Sequence, residues 1–316
     1  MGRNASHSCA TGPCYRTGAS RRSTVTLLGS RAVKHSNSTR EPEVFLARRD
    51  FQGRTVVITG GAGGIGRALA RTFGGAGAKI ALIDLSSSPL SAALEELESA
   101  GVEALALPCD ITDAERVEAS MASVRDGFGS IDVLINNAGI GLRSAFADTR
   151  PEVFRRVMEV NLFGALHCTQ ACLADLVAKR GLIIAVSSIA GLAPLYGRSG
   201  YAASKHAMHG LFESLGAEVA DKGVGMLMVC PSFVESGLEA STVGGDGTRI
   251  GRPRTKVGRL GDADEVAVEV LKAAQAGRRR LVLTPVGKTS ALLSRVAPGL
   301  YERLMIRSLR SELDEP

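Results

Sequence analysis

The stretch SGYAASKHAM, residues 199–208, places Tyr201 and Lys205 four positions apart. On a helix that spacing puts both on one face, one turn from each other. A phenol with its ordinary pKa of about 10 is a poor base at neutral pH. An ammonium group within several ångströms favours the phenolate and makes the phenol usable for proton transfer. Taken alone, the pair also describes an amphipathic tyrosine beside a solvated lysine on a surface helix. Two further groups bear on the choice. Ser188 closes the apolar run GLIIAVSS (181–188), thirteen residues before Tyr201. A hydroxyl at a strand end can hold an oxygen on which charge develops, although Ser187 offers the same chemistry. Asn161 sits inside a long helical stretch, 152–178, where an interior asparagine is mildly unfavourable.

A second set of residues has the composition of a phosphate cradle. TGGAGGIG, Thr59–Gly66, lies between an apolar run and a helical stretch. Gly60, Gly64 and Gly66, with Ile65 between them, permit a tight turn and close approach of backbone to a pyrophosphate at a helix N-terminus. Asp84 ends the second apolar run, 24 residues beyond Gly60. An acid there accepts hydrogen bonds from ribose hydroxyls and repels a 2′-phosphate, and neither Gly63 nor Leu85 supplies a cation for such a phosphate. These residues favour NAD, with NADP as the alternative. Asp110 follows the third run and Asn136-Asn137-Ala138-Gly139 the fourth, the ends where open α/β sheets bind ligands. Asp110 is also a possible N-cap for the next helix, in competition with Thr112 and Asp113.

The elements that must position these groups are legible as alternation. TVVIT (55–59), KIALID (79–84), EALAL (103–107), DVLIN (132–136), GLIIAVSS, VGMLMVC (224–230) and LVLT (281–284) are separated by stretches with apolar residues at intervals of three and four. Strands apolar throughout, with helices between them, predict a parallel sheet covered on both faces. The expectation is an α/β fold: a single doubly wound, Rossmann-like domain of about seven strands over residues 51–286. A leader at 1–50 and an amphipathic tail at 287–316 flank it.

Charge and cysteine usage narrow the function classes. The formal charge of +6 comes entirely from residues 1–50, which carry nine Lys/Arg against three Asp/Glu; the remainder has 29 of each sign. With no tryptophan and few aromatics, nucleic-acid binding is not expected. The Ser-, Thr- and Arg-rich leader reads as a disordered arm, the product of an upstream start, or a transit peptide. Its sequons at Asn4 and Asn37 are read as chance. Cysteines at 9, 14, 109, 168, 172 and 230 fit neither a disulfide framework nor a metal site, which favours buried thiols and the cytoplasm. No stretch approaches 18 consecutive apolar residues, so no transmembrane helix is expected.

From about residue 51 to 238 the chain closely resembles the short-chain dehydrogenase/reductase family. The resemblance is carried, in the family's order, by TGGAGGIG, Cys109-Asp110, NNAG at 136–139, Asn161 in VNLFG, Ser188 in VSSIAG, and YAASK. It implies nicotinamide-dependent hydride transfer in a homodimer or homotetramer. Tyr201 would be the acid/base, Lys205 would tune it, and Ser188, favoured over Ser187 by its spacing to Tyr201, would hold the substrate oxygen. Asn161 would hold a water that relays the proton by way of Lys205. Asp110 would contact the adenine, with Asn137, Ala138 and Gly139 packed near the cofactor. After the sixth strand the family has a Pro-Gly pair and a downstream Thr. Here PSFVES places Pro231, Ser232, Val234 and Ser236, with Ser236 to reach the carboxamide and Ser232 tightening the turn's backbone freedom.

Three segments are expected to frame the substrate: 141–146, 189–197 and the loop from Phe233 to about Gly261. Their apolar content favours a lipophilic secondary alcohol or ketone, such as a steroid, retinoid, terpene or fatty alcohol. The loop carries Arg249, Arg252, Arg254, Lys256 and Arg259 and reads as a basic mobile lid or a solvated charge run. Residues 288–310 form two short amphipathic helices split at Pro298-Gly299, expected to cover the substrate mouth or a subunit interface, with peripheral membrane contact as the rival. An NADPH-dependent carbonyl or 3-oxoacyl reductase and a non-catalytic cofactor-binding regulator are the competing functions.

Overall fold

The computed structural model describes residues 48–235, 237–250 and 261–314. The leader's residues 1–47, Ser236, and the basic positions Arg252, Arg254, Lys256 and Arg259 lie outside the described residues. Strands β1 (Thr55–Thr59), β2 (Lys79–Asp84), β3 (Ala104–Pro108), β4 (Val133–Asn136), β5 (Leu182–Val186) and β6 (Gly225–Cys230) alternate with helices. These helices are α1 (Gly64–Gly75), α2 (Leu90–Ser99), α3 (Ala114–Phe128), α4 (Pro151–Met158), α5 (Gly164–Ala178) and α6 (Ser199–Glu218). Two-residue strands β7 (Val234–Glu235) and β8 (Gly261–Asp262) pair with each other. Then come α7 (Ala263–Gln275), β9 (Arg280–Val282), α8 (Pro285–Val296), α9 (Pro298–Leu309) and α10 (Ser311–Asp314).

The seven-stranded sheet has the order β3-β2-β1-β4-β5-β6-β9, every pair parallel. The order reverses between β1 and β4, the crevice where doubly wound sheets bind ligands. Successive strand residues point to opposite faces, yet both faces are buried. Val56 and Ile58 join one core cluster with α1, α2 and α7, while Val57 joins the other with α3, α5 and α6. That two-sided burial is why the strands read as continuous apolar runs.

Residues 151–178 are long and apolar enough to cross a bilayer by length and composition, with mean hydropathy 1.2. In the fold they pack on β4, β5, α3 and α6. They do not form one regular helix, because Glu159–Phe163 makes a π-helical turn between α4 and α5. Such turns insert an extra residue into the hydrogen-bond ladder and occur often at functional sites. Asn161 occupies this one, fully buried.

Four described cysteines, Cys109, Cys168, Cys172 and Cys230, are free and buried. Burial pushes the thiols of Cys168 and Cys230 up to about 12, which keeps them protonated and unreactive.

Candidate active site

The turn after β1 is built on close backbone approaches. Gly60 has φ +64, and a Cβ there would stand 2.8 Å from the Ala138 Cα. A Cβ on Gly66 would lie 2.0 Å from the Gly60 carbonyl oxygen, so only glycine lets α1 begin this close to the turn. Asn137 fastens the turn from β4: its Nδ2 donates to the carbonyls of Thr59 and Gly60 at 3.0 and 3.1 Å. The backbone amides of Asn137 and Ala138 donate to Thr59 Oγ1 at 3.0 and 3.1 Å.

Asp84 closes the same end. Its carboxylate accepts from Ala62 N at 2.9 Å and Leu85 N at 2.7 Å, using two of about four lone-pair positions. Asp113, rather than Asp110 or Thr112, is the N-cap of α3, accepting from the amides of Glu115 and Arg116. Asp110 instead accepts from Thr112 N and Oγ1 at 3.0 and 2.8 Å and stays exposed in the cleft.

At the other side of the crevice, Lys205 is 3% exposed. Its Nζ donates to the Val186 carbonyl at 3.0 Å and Met208 Sδ at 3.4 Å, and lies 5.9 Å from the Tyr201 ring centroid. No carboxylate pairs with it among the described residues, and burial lowers its pKa from 10.5 to about 8. Asn161 ties this region together. Its Oδ1 accepts from Ile140 N at 2.8 Å; its Nδ2 donates to Ile140 O at 3.0 Å and to Ser204 Oγ at 2.9 Å. Ser188 Oγ accepts from Ala190 N at 3.1 Å, while Ser187 Oγ turns inward to donate to the Lys205 carbonyl at 3.4 Å.

Two cavities meet here. The larger encloses about 2270 Å³ including its open mouth and runs from Gly60, Asp84 and Asp110 to Lys205 and Pro231. Gly64, Ile65, Gly66, Asn137, Ala138 and Gly139 also line it, as does Arg249 from the basic loop. The smaller, about 640 Å³ including its open mouth, is walled by Leu142, Arg143, Ile189, Leu195, Phe233, Leu238 and Glu239, from all three segments expected to frame a substrate, and by Arg198 just beyond the second. Among the described residues, Ser188, Tyr201 and Leu238 line both. Among the described residues no cluster of His, Cys, Asp and Glu is placed to hold a metal.

These features set the chain among known proteins. The profile described as short chain dehydrogenase matches residues 54–245. The chain belongs to the short-chain dehydrogenase/reductase family. As a member of that family it is an oxidoreductase. Dehydrogenase/reductase SDR family member 7B of Bos taurus is 36% identical over 265 residues, covering 81% of this chain and 82% of that protein. Its counterpart from Danio rerio is 34% identical over 273 residues, covering 84% and 88%. A short chain dehydrogenase/reductase from Burkholderia phymatum, solved in complex with NAD, superposes with TM-score 0.72 at 26% identity, over 80% of this chain and 96% of that one. An actinorhodin polyketide ketoreductase variant solved with NADPH gives TM-score 0.64 at 30% identity, over 72% and 94%.

Three placements differ from the reading of the sequence. Val234 turns its side chain into the core beside Val266 and is 2% exposed. Ser232 does not strain its turn, because the described non-glycine residues with positive φ are Arg180 and Thr284. Its hydroxyl pairs instead with Thr284 Oγ1 at 2.7 Å, tying the loop after β6 to the N-cap of α8. The wall of the smaller cavity is also more polar than its apolar segments imply, through Arg143, Arg198 and Glu239.

The sequence predicts a tail over the substrate mouth or a subunit interface, but not the contacts by which it backs that wall. Tyr301 Oη donates to the Pro194 carbonyl at 2.8 Å, and Tyr196 N to Met305 Sδ at 3.0 Å. Arg198 pairs with Glu312, their side chains 11% and 3% exposed. Helices α9 and α10 therefore grip residues 194–198 immediately before Tyr201. The basic residue in RSGY was visible; its partner, 114 positions later, carried no signal.

Proposed function

We propose that this protein is an NAD-dependent oxidoreductase interconverting a secondary alcohol and a ketone. The carrying observation is that Ser188 and Tyr201 line both cavities, where a nucleotide and a second molecule would meet. The larger cavity fits a dinucleotide: it has the volume, the glycine turn and the start of α1 line it through Gly60, Gly64, Ile65 and Gly66, and Asp84 keeps carboxylate lone pairs at its adenosine end. Gly60, Gly64, Ile65 and Gly66 would hold the pyrophosphate, Asp84 the ribose, Asp110 the adenine, and Pro231 with Ser236 the carboxamide. The nicotinamide would supply the acceptor for hydride.

The chain's own residues would handle the proton. Tyr201 Oη would take it from the alcohol, or return it to the ketone, while Ser188 Oγ fixes the substrate oxygen. Lys205, a buried cation one turn away, would stabilise the phenolate. Asn161, engaged with Ile140 and Ser204 next to Gly139, would seat the proton-relay water.

The five apolar residues Leu142, Ile189, Leu195, Phe233 and Leu238 around the smaller cavity support a lipophilic substrate bearing a polar function for Arg143, Arg198 or Glu239 to contact. A panel of lipophilic secondary alcohols followed by NADH absorbance tests the reading. Tyr201→Phe is expected to cut turnover at least about a thousandfold while leaving cofactor affinity within about threefold. Full turnover by Tyr201→Phe, or carbonyl reduction far faster with NADPH than NADH, overturns it in part or whole.

A further inference from the structure

Eight large apolar side chains are exposed among the described residues. Leu85, Phe146, Phe163 and Val268 are scattered. Leu292, Val296, Leu300 and Leu304 recur at every fourth position through the joint of α8 and α9, and are 63, 68, 51 and 50% exposed. They are not the side chains these helices use for packing, since α9 buries Tyr301 and Leu309.

Cations flank the exposed apolar pair on each helix. Between 285 and 310 the chain carries Lys288, Arg295, Arg303, Arg307 and Arg310 against the single acid Glu302, in a protein whose residues 51–316 balance to zero. At 100° per residue, Lys288 and Arg295 fall beside Leu292, and Arg303 and Arg307 beside Leu300 and Leu304. Lys288, Arg295, Arg303 and Arg307 are exposed, and none pairs with a carboxylate among the described residues. A second copy on this face would bring these cations together without partners. An anionic surface with an apolar layer beneath it would satisfy both features.

We propose that α8 and α9 dock the protein on an anionic bilayer, with Leu292, Val296, Leu300 and Leu304 at the headgroup–acyl boundary and the four cations among the headgroups. Helix α9 also bears on residues 194–198 through Tyr301 and Met305, so docking holds that wall of the smaller cavity next to lipid. The inference goes beyond the oxidoreductase reading and does not rest on it.

The test is cosedimentation of the full chain with phosphatidylcholine vesicles, with and without phosphatidylserine, across a salt series. Binding to the anionic vesicles is expected to exceed binding to the neutral ones by about tenfold or more and to weaken with salt. Leu300→Ser/Leu304→Ser and Arg303→Ser/Arg307→Ser are each expected to lower it by about tenfold or more, with thermal melting and cofactor affinity unchanged. No binding to either vesicle, or binding that neither double variant reduces, overturns the proposal. So does a lipid-free dimer in sedimentation equilibrium that Leu300→Ser/Leu304→Ser dissociates, because it assigns the face to a second copy. No outcome depends on catalysis, so failure leaves the oxidoreductase reading standing.

Discussion

Replacing Lys205 with methionine is expected to stabilise the cofactor-free protein at pH 7 while abolishing its activity. The ammonium is 3% exposed, has no carboxylate partner among the described residues, and has its pKa lowered from 10.5 to about 8. That displacement corresponds to a cost of about 3 kcal/mol for holding the charged form in the fold. Below pH 8 both folded and unfolded chains carry the proton and the cost is present in full. Between pH 8 and 10.5 the unfolded chain binds more protons than the folded one, so wild-type stability rises with pH by about 3 kcal/mol. Methionine removes the charge at similar length but leaves the Val186 carbonyl, now bonded by Nζ at 3.0 Å, without that donor. Because Val186 lines the open cleft, water can replace the bond, and the loss is about 1 kcal/mol. The net expectation is a gain of about 2 kcal/mol at pH 7 that falls through zero as pH approaches 10. Urea unfolding of both proteins from pH 7 to 10 measures it. A Lys205→Met protein less stable than wild type at pH 7, or a difference that does not change with pH, refutes the picture of an uncompensated buried cation.

Gly66→Ala would ordinarily favour a helix by about 1 kcal/mol. Here the new methyl meets the Gly60 carbonyl at 2.0 Å, so a net loss of about 1–3 kcal/mol and at least tenfold weaker cofactor binding are expected by thermal melting and fluorescence titration. Asp84→Asn removes the charge that repels a 2′-phosphate, and the ratio of NADPH to NADH affinity should rise by about tenfold, or about 1.4 kcal/mol. Glu312→Gln withdraws a carboxylate from the largely covered Arg198 guanidinium. It should cost about 3 kcal/mol in unfolding free energy and raise substrate KM while leaving cofactor affinity unchanged.

The fold was legible because both of its signals are local. Seven apolar runs gave seven parallel strands, and the two-sided burial of alternating residues such as Val56 and Val57 explains why they lacked period-two alternation. The glycine turn and the Tyr201–Lys205 pair were equally local, since spacing along a strand–turn–helix or a single helix fixes their geometry. Other features depended on partners remote in sequence. Asn161 looked like a mildly unfavourable residue inside one helix; a π-helical turn resolves the conflict by aiming its amide at Ile140 and Ser204. Ser232 looked like a lost glycine, but its hydroxyl reaches Thr284 on another element. The Arg198–Glu312 pair depends on α10 folding back, and no pattern around RSGY specifies that.

That fold-back divides the site by order of synthesis. Most of the residues that line the larger cavity lie between Gly60 and Lys205, and Pro231, Gly237, Leu238, Ala240, Ser241 and Arg249 follow. The outer support of residues 194–198 comes only with Tyr301, Met305 and Glu312. A nascent or shortened chain would therefore have its cofactor-binding framework before its substrate cavity was braced. Chemistry on the second molecule would be licensed only once residues 301–312 are in place, and a disturbance of α10 would be felt at Tyr201 before it was felt at Gly60.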